Sequence, residues 1–213
     1  MRSLKLEDFA PLTGVVAVIC LAVAVLLFGS YDYFPTPART VEVFTTVADR
    51  AFSIVLFGTY AGLALMWFSG SLFQALKEQD SGSGRLAALA LAGGVVAGAG
   101  LILGYGDVYY AAGQAGRVGG LDPTSAWVMY GQYSNLMGLL HGLILMAGAT
   151  GLVAIRTRVF PSWFGWVSLA LAVGMATPFD YIFEGIGLAW IVAASLWIFA
   201  RRIRKPSPGM AGM

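Results

Sequence analysis

Uncharged stretches between charged residues set the architecture of this chain. The gap between Asp8 and Asp32 holds 23 residues, and that between Arg50 and Lys77 holds 26. The gaps from Arg85 to Asp107 and from Arg158 to Asp180 hold 21 each, and the gap from Asp122 to Arg156 holds 33. The last gap, Glu184 to Arg201, holds 16. A charge near the bilayer centre is costly, and a membrane-crossing helix needs about 20 apolar residues. Five gaps meet that length. The sixth meets it only if Glu184 lies at or inside the membrane boundary. The pattern predicts an all-α fold, a polytopic transmembrane helical bundle in one domain over residues 1–213. Its six spans fall at about 10–30, 51–73, 86–106, 131–155, 162–178 and 181–201.

Lys and Arg orient the bundle. Ten of the thirteen fall in the N-terminal tail, the second and fourth loops and the C-terminal tail; only Arg39, Arg50 and Arg117 fall in the others. The positive-inside rule then places both termini in the cytoplasm of a cell-membrane protein. Arg2 and Lys5 precede the first apolar run, Leu12 to Phe28, which is longer than a signal h-region; it reads as a retained span.

The loops differ between the two faces. Glu78 to Gly84 (EQDSGSG) is a flexible turn. Arg156 to Pro161 is a tight hinge, followed by Trp163 and Trp166, which suit the membrane interface. Residues 32–49 hold Pro35, Pro37 and the run Thr40-Val41-Glu42-Val43-Phe44, open between a short strand and an interfacial helix. Asp122 followed by Pro123 marks a helix start. A helix from Pro123 to Ile155 would be about 50 Å long, so it protrudes from the membrane or breaks near Gly131. Ala111–Gly120 (AAGQAGRVGG) lacks the Lys-Ser/Thr ending of a phosphate loop and reads as a flexible loop.

Composition agrees. Hydrophobic residues make up 58% and charged residues 11% of the chain, against about 25% charged in soluble domains. The net charge of +2 implies no nucleic-acid partner. The single cysteine, Cys20, excludes an internal disulfide and a multi-cysteine metal site; it reads as a small buried hydrophobe.

Glycines spaced by four residues let helix backbones approach closely. Gly94 and Gly98 occupy the third span, Gly138 and Gly142 the fourth. They read as packing positions within the chain, with a dimer interface as the alternative. The only histidine, His141, falls mid-span in the fourth helix, with Asn135 two turns earlier. An intramembrane His can relay protons or ligate haem or a metal, but one His with no paired carboxylate defines no metal site. A neutral imidazole bonded across helices is the simpler reading. Acids and tyrosines gather toward the outer face: Tyr31-Asp32-Tyr33, Asp107 with Tyr109 and Tyr110, Tyr130 with Tyr133, and Asp180-Tyr181 with Glu184. The candidate polar membrane site is therefore His141, Asn135, Glu184, Asp180 and Arg50. The alternative is interfacial tyrosines and acids at helix starts. The closing Arg201-Arg202-Ile203-Arg204-Lys205 run reads as a stop-transfer cluster that can also touch anionic lipid heads.

The passage Arg158-Val159-Phe160-Pro161-Ser162-Trp163-Phe164-Gly165-Trp166 resembles the Pro-x-Trp-x-Gly-Trp passage of small multi-span proteins of actinobacteria, the DUF4386-like group. The resemblance covers about nine residues; it implies a six-helix membrane protein and transfers no site. No motif identifies a catalytic residue or a cofactor. The leading expectation is a non-catalytic polytopic subunit or scaffold in the lipid bilayer, self-associated or part of a larger membrane complex. The alternatives are a carrier or channel for a small solute, ion or lipid-like molecule, and a membrane enzyme acting on a lipid or quinone-like substrate.

Overall fold

The computed structural model describes residues 6–29, 36–79, 84–117, 120–135, 137–177 and 180–204, and their side chains except at 6, 116–117, 132–135, 137 and 180–181. Every element among them is helical. In chain order they are α1 (Thr13–Phe28), α2 (Pro37–Val47), α3 (Ala51–Lys77), α4 (Arg85–Arg117), α5 (Pro123–Asn135), α6 (Met137–Arg156), α7 (Ser162–Met175) and α8 (Asp180–Arg204). Short 3-10 turns, Leu6–Leu12 and Ala48–Arg50, lead into α1 and α3. Five of the helical stretches are long and apolar enough to cross a membrane: Glu7–Phe28, Pro37–Lys77, Arg85–Ala115, Gly138–Arg156 and Ile182–Arg204. The sixth apolar helix, Ser162–Met175, has 14 residues, about 21 Å at 1.5 Å per residue. That is shorter than the six-span reading expects.

Six helices close a ring. Each of α1, α3, α4, α6, α7 and α8 packs on the next in that order, and α8 returns to α1. Helices α3, α6 and α8 also touch across the middle. Small residues bring these helices together. On α4, a Cβ added at Gly98 would lie 2.6 Å from the Gly62 carbonyl oxygen of α3, and one at Gly94 would lie 2.2 Å from the Ser69 Cβ. An adjacent face of α4 meets α6 in the same way. A Cβ at Gly142 would lie 2.3 Å from the Ala97 amide nitrogen, and one at Gly138 would lie 2.7 Å from the Gly100 Cα. All four glycines singled out by spacing thus face a helix of the same chain. In lipid, where apolar surface gains nothing by leaving its solvent, such close approach supplies the packing.

The outside of the ring is apolar. Leu26, Leu103, Trp67, Val173 and Phe52 are each at least 66% exposed. Surface of this kind in water would be an aggregation-prone patch; around a membrane bundle it faces acyl chains. Three buried hydroxyls are satisfied within their own helices. Ser69 donates to the Met66 carbonyl (2.6 Å), Thr150 to Met146 (2.7 Å) and Ser168 to Phe164 (2.7 Å).

The two ends of the ring differ. At one, the terminal end, the start of α1, the end of α3, residues 157–161 and the end of α8 converge. Here Trp197 Nε1 and Arg201 Nη1 both donate to the Val159 carbonyl (2.9 and 2.8 Å), and Gly84 begins α4 with φ +69°. At the other, the cap end, α2 and α5 pack on each other and on α4. Gly29 stops α1 there with φ +91°, a conformation that glycine adopts without a Cβ penalty. Tyr130 of α5 is buried between Phe28 and Phe44, at ring-centroid distances of 6.4 and 6.2 Å.

One expectation left open in the sequence is decided here and another is corrected. The segment left open between strand and helix is the helix α2, whose Thr36 side chain accepts from the Arg39 amide (3.4 Å) and whose buried face is Thr40, Phe44 and Val47. Ala111–Arg117, read as a flexible loop, is the last part of α4, where Ala111 and Ala112 are fully buried. The reason is tertiary: small residues here let α2 and α5 pack against α4. Gly131, where a break was expected, lies within α5, and residue 136 between α5 and α6 lies outside the described residues. The Asp122-Pro123 start forms as read, with the Asp122 carboxylate accepting from the Ser125 amide (2.8 Å).

Candidate functional site

The terminal end contains a cleft of about 720 Å³ between the Leu6–Leu12 turn, the start of α1 and the last three turns of α3, with Arg202 of α8 at its rim. Its shape begins with Pro11. A residue without an N–H, which also disfavours α conformation in the residue before it, sits in a 3-10 turn rather than in the α-helix proper. The Pro11 carbonyl accepts from Ser195 Oγ of α8, and Thr13 Oγ1 donates to the Ala10 carbonyl (2.7 Å). The turn is thereby held against α8 and stands beside α3.

The walls are graded. Glu7, Asp8, Gln74, Glu78 and Arg202 form the upper part; Thr13 and Ser71 line the cleft as well, with Met66, Trp67 and Phe9 as its large apolar residues. Asp8 is only 7% exposed. Arg202 links three elements: Nη1 donates to the Glu7 carbonyl (2.8 Å) and Nη2 to Gln74 Oε1 (3.0 Å). Both acceptors are neutral, so these two bonds position the guanidinium without cancelling its charge. Trp67 is 69% exposed and Phe9 44%, so apolar surface at the cleft continues onto the outside of the bundle. Between them Gly70 faces open space, since a Cβ added there meets nothing within 4 Å. Behind Arg202 and Glu78 lies a gap of about 40 Å³ against Val159 and Trp197. The cleft therefore offers carboxylates, one fixed guanidinium and an apolar wall, which is a set suited to binding an amphiphile.

Of the residues proposed from sequence as a polar membrane site, Arg50 and Glu184 belong to the cap end and His141 does not. Arg50 is exposed and reaches toward the end of α1; a Cβ at Gly29 would lie 3.6 Å from its Nη2. Glu184 is half-buried in the second turn of α8. The side chains of Asn135 and Asp180 lie outside the described residues, as do Tyr31-Asp32-Tyr33, Tyr133 and Tyr181. His141 lies in α6 with an exposed side chain. Its neighbour Gly142 packs against Gly93 and Ala97 of α4, and Gly98 beside them packs against Gly62 near the middle of α3, so the histidine lies at mid-bundle level. The tyrosines do not share one environment either: Tyr130 is buried, whereas Tyr109 and Tyr110 are exposed. Among the described residues, no group of three or more His, Cys, Asp or Glu side chains could hold a metal ion.

Sequence reasoning used Asp8 to bound an uncharged run, placed Glu78 in a turn and read Arg202 in a stop-transfer cluster that can touch lipid heads, without bringing them together. Two signals pointed there. One is Gln74, an amide one turn before Lys77 on an otherwise apolar helix. The other is Ser69-Gly70-Ser71, which makes one stretch of that helix small. No protein-family model, curated protein or solved structure matches the chain.

Proposed function

We propose that this chain is a six-span membrane protein with both termini in the cytoplasm, and that it acts by holding an amphiphilic ligand in the cleft between α1 and α3, a binding rather than a catalytic role. The observation that carries the reading is the cleft itself, which joins a charged rim to exposed apolar wall at the edge of an apolar bundle. The six-span arrangement is supported by the meeting of chain ends. Arg202 of α8 bonds Glu7 ahead of α1, a contact that fits an even number of crossings. The short helix α7 packs between α6 and α8 like the other members of the ring, with Trp163 and Trp166 each 63% exposed at its start, as interfacial anchors would be. Among the described residues, Lys77, Arg85, Arg156, Arg158, Arg201, Arg202 and Arg204 belong to the terminal end, which supports a cytoplasmic position.

The test is to fill the cleft. Gly70→Trp adds an indole where a Cβ has no neighbour within 4 Å, so the helix need not move. Protein purified in mild detergent is compared with the variant by native mass spectrometry and lipid analysis. The wild-type chain is expected to retain a stoichiometric amphiphile and the variant to lose it at unchanged thermal stability. Equal retention by both proteins excludes the cleft as the binding site.

A further inference from the structure

Resting on that reading of the cleft, we propose that its occupant is an acyl glycerolipid held by its ester carbonyls, with Ser71 Oγ as the principal donor, whatever the headgroup. Ser71 differs from the other buried hydroxyls. Ser69, two residues earlier on α3, donates to the Met66 carbonyl, and Thr150 and Ser168 donate to carbonyls of their own helices. Ser71 is only 4% exposed and lines the cleft, yet its hydroxyl bonds neither a carbonyl of α3 nor any other described residue. A serine within a helix ordinarily returns its proton to the carbonyl one turn back. A hydroxyl shielded from water without a bond costs free energy. The bond that this hydroxyl lacks within the protein is available to a ligand in the cleft.

The neighbouring groups on the same face decide what kind of atom that ligand presents. Trp67 and Gln74 line the cleft four residues before and three residues after Ser71, spacings that share one helix face. An indole N–H can only donate. Gln74 Oε1 already accepts from Arg202 (3.0 Å), which leaves its two N–H donors for the cleft. The result is a column of donors along about 10 Å of α3 at 1.5 Å per residue. Such a column suits a ligand rich in neutral acceptors and poor in donors. The two ester carbonyls of a diacyl glycerolipid hang close together on one short glycerol unit, so both can reach donors on a single helix face. The two carbonyls of a para-quinone point in opposite directions from their ring, so only one of them can. The rest of the lining fits acyl chains: Gly70 leaves open space beside Ser71, and the exposed Trp67 and Phe9 carry the wall onto the outside of the bundle. The carbonyls are neutral, so this selection does not depend on the charges at the rim.

The experiment presents the full-length chain, in detergent, with diacyl phosphatidylcholine and with its di-O-alkyl ether analogue of the same headgroup and chain length. The bound fraction is read by native mass spectrometry. The ester lipid is expected to bind about tenfold more tightly, the difference that one or two neutral hydrogen bonds produce. Ser71→Ala should bring the ester lipid down to the ether level and leave ether binding unchanged. Ser69→Ala removes a hydroxyl already bonded to its own helix and should keep the preference for the ester. The comparison on the wild-type protein needs no substitution, so it decides the matter even if a variant fails to fold. Equal binding of the ester and ether lipids overturns the carbonyl assignment, as does a preference that survives Ser71→Ala. A decyl-tailed benzoquinone should not displace the ester lipid at equal concentration; displacement overturns the assignment to a glycerolipid. If the ester preference is absent but Gly70→Trp still abolishes binding, the cleft reading survives. Binding that Gly70→Trp leaves untouched overturns both.

Discussion

At Gly142 a single methyl group would land 2.3 Å from the amide nitrogen of Ala97 and 2.4 Å from the carbonyl oxygen of Gly93. Backbone atoms cannot rotate away as a side chain can, so Gly142→Ala must push α6 off α4. The expected cost is about 1–3 kcal/mol, the usual scale of overpacking, read as a lower melting temperature in detergent. Gly106 on α4 provides the internal control, since a Cβ there meets nothing within 4 Å. Gly106→Ala should be neutral or stabilising by up to about 1 kcal/mol, through the lower backbone entropy of alanine. Equal effects at the two positions would show that proximity does not govern the packing. A second residue-scale case is the bond from Trp190 Nε1 to Ser168 Oγ, 2.8 Å long and fully buried between α8 and α7. Ser168→Ala leaves the indole N–H without this acceptor and should cost about 1–3 kcal/mol. Trp190→Phe removes the donor, while Ser168 keeps its bond to the Phe164 carbonyl. A double-mutant cycle on melting should therefore find the two changes coupled; simple additivity would mean that the bond contributes nothing to holding α7 on α8.

The element scale shows where sequence periodicity was enough and where it was not. Helix α3 reads directly, because 26 uncharged residues between Arg50 and Lys77 leave no other solution in a membrane. The start of α5 also reads directly, because an acid followed by proline supplies both an acceptor for a free amide and a preset φ. The end of α4 does not. Ala111–Arg117 is rich in glycine and alanine, and glycine lowers helix propensity by about 1 kcal/mol per residue. The segment is nevertheless helical, and α2 and α5 cover α4 at this end. Tertiary burial overrides local preference there. The same cover explains why Phe44, in a run that fits either a strand or a helix, ends on the buried face of a helix. Helix α7 is the opposite case: its apolar character was legible, but its length of 14 residues was set by where Ala176 turns the chain.

For the whole molecule, the crossing number is the quantity with the most consequences. Six crossings put both ends on one side; five put them on opposite sides. A Cys20→Ala background with new cysteines at Thr36 and Gln79, both exposed, separates the cases. An impermeant maleimide applied to intact cells should label the residue 36 position and leave the residue 79 position untouched until the cells are opened. A C-terminal fluorescent reporter should be cytoplasmic. Labelling at residue 79 from outside reverses the orientation, and a reporter on the outer side with residue 79 still protected removes one crossing.

What the sequence alone determined about this protein follows from one-dimensional constraints: charge is excluded from hydrocarbon and backbone polar groups must be satisfied there, so long uncharged runs are helices. The class, the approximate spans and the small-residue positions at Gly94, Gly98, Gly138 and Gly142 are consequences of spacing along single helices. The partners of those glycines are not, since nothing local says that Gly142 opposes Ala97 rather than another chain. Nor could spacing locate the cleft. Glu7 and Arg202 are separated by 194 intervening residues, and their meeting depends on ring closure by α8 against α1. Only the tertiary structure decided that charges scattered in three segments form one rim. The physical reason is that a helix sets the direction of its own side chains, whereas the order of helices around the ring is set by which surfaces fit.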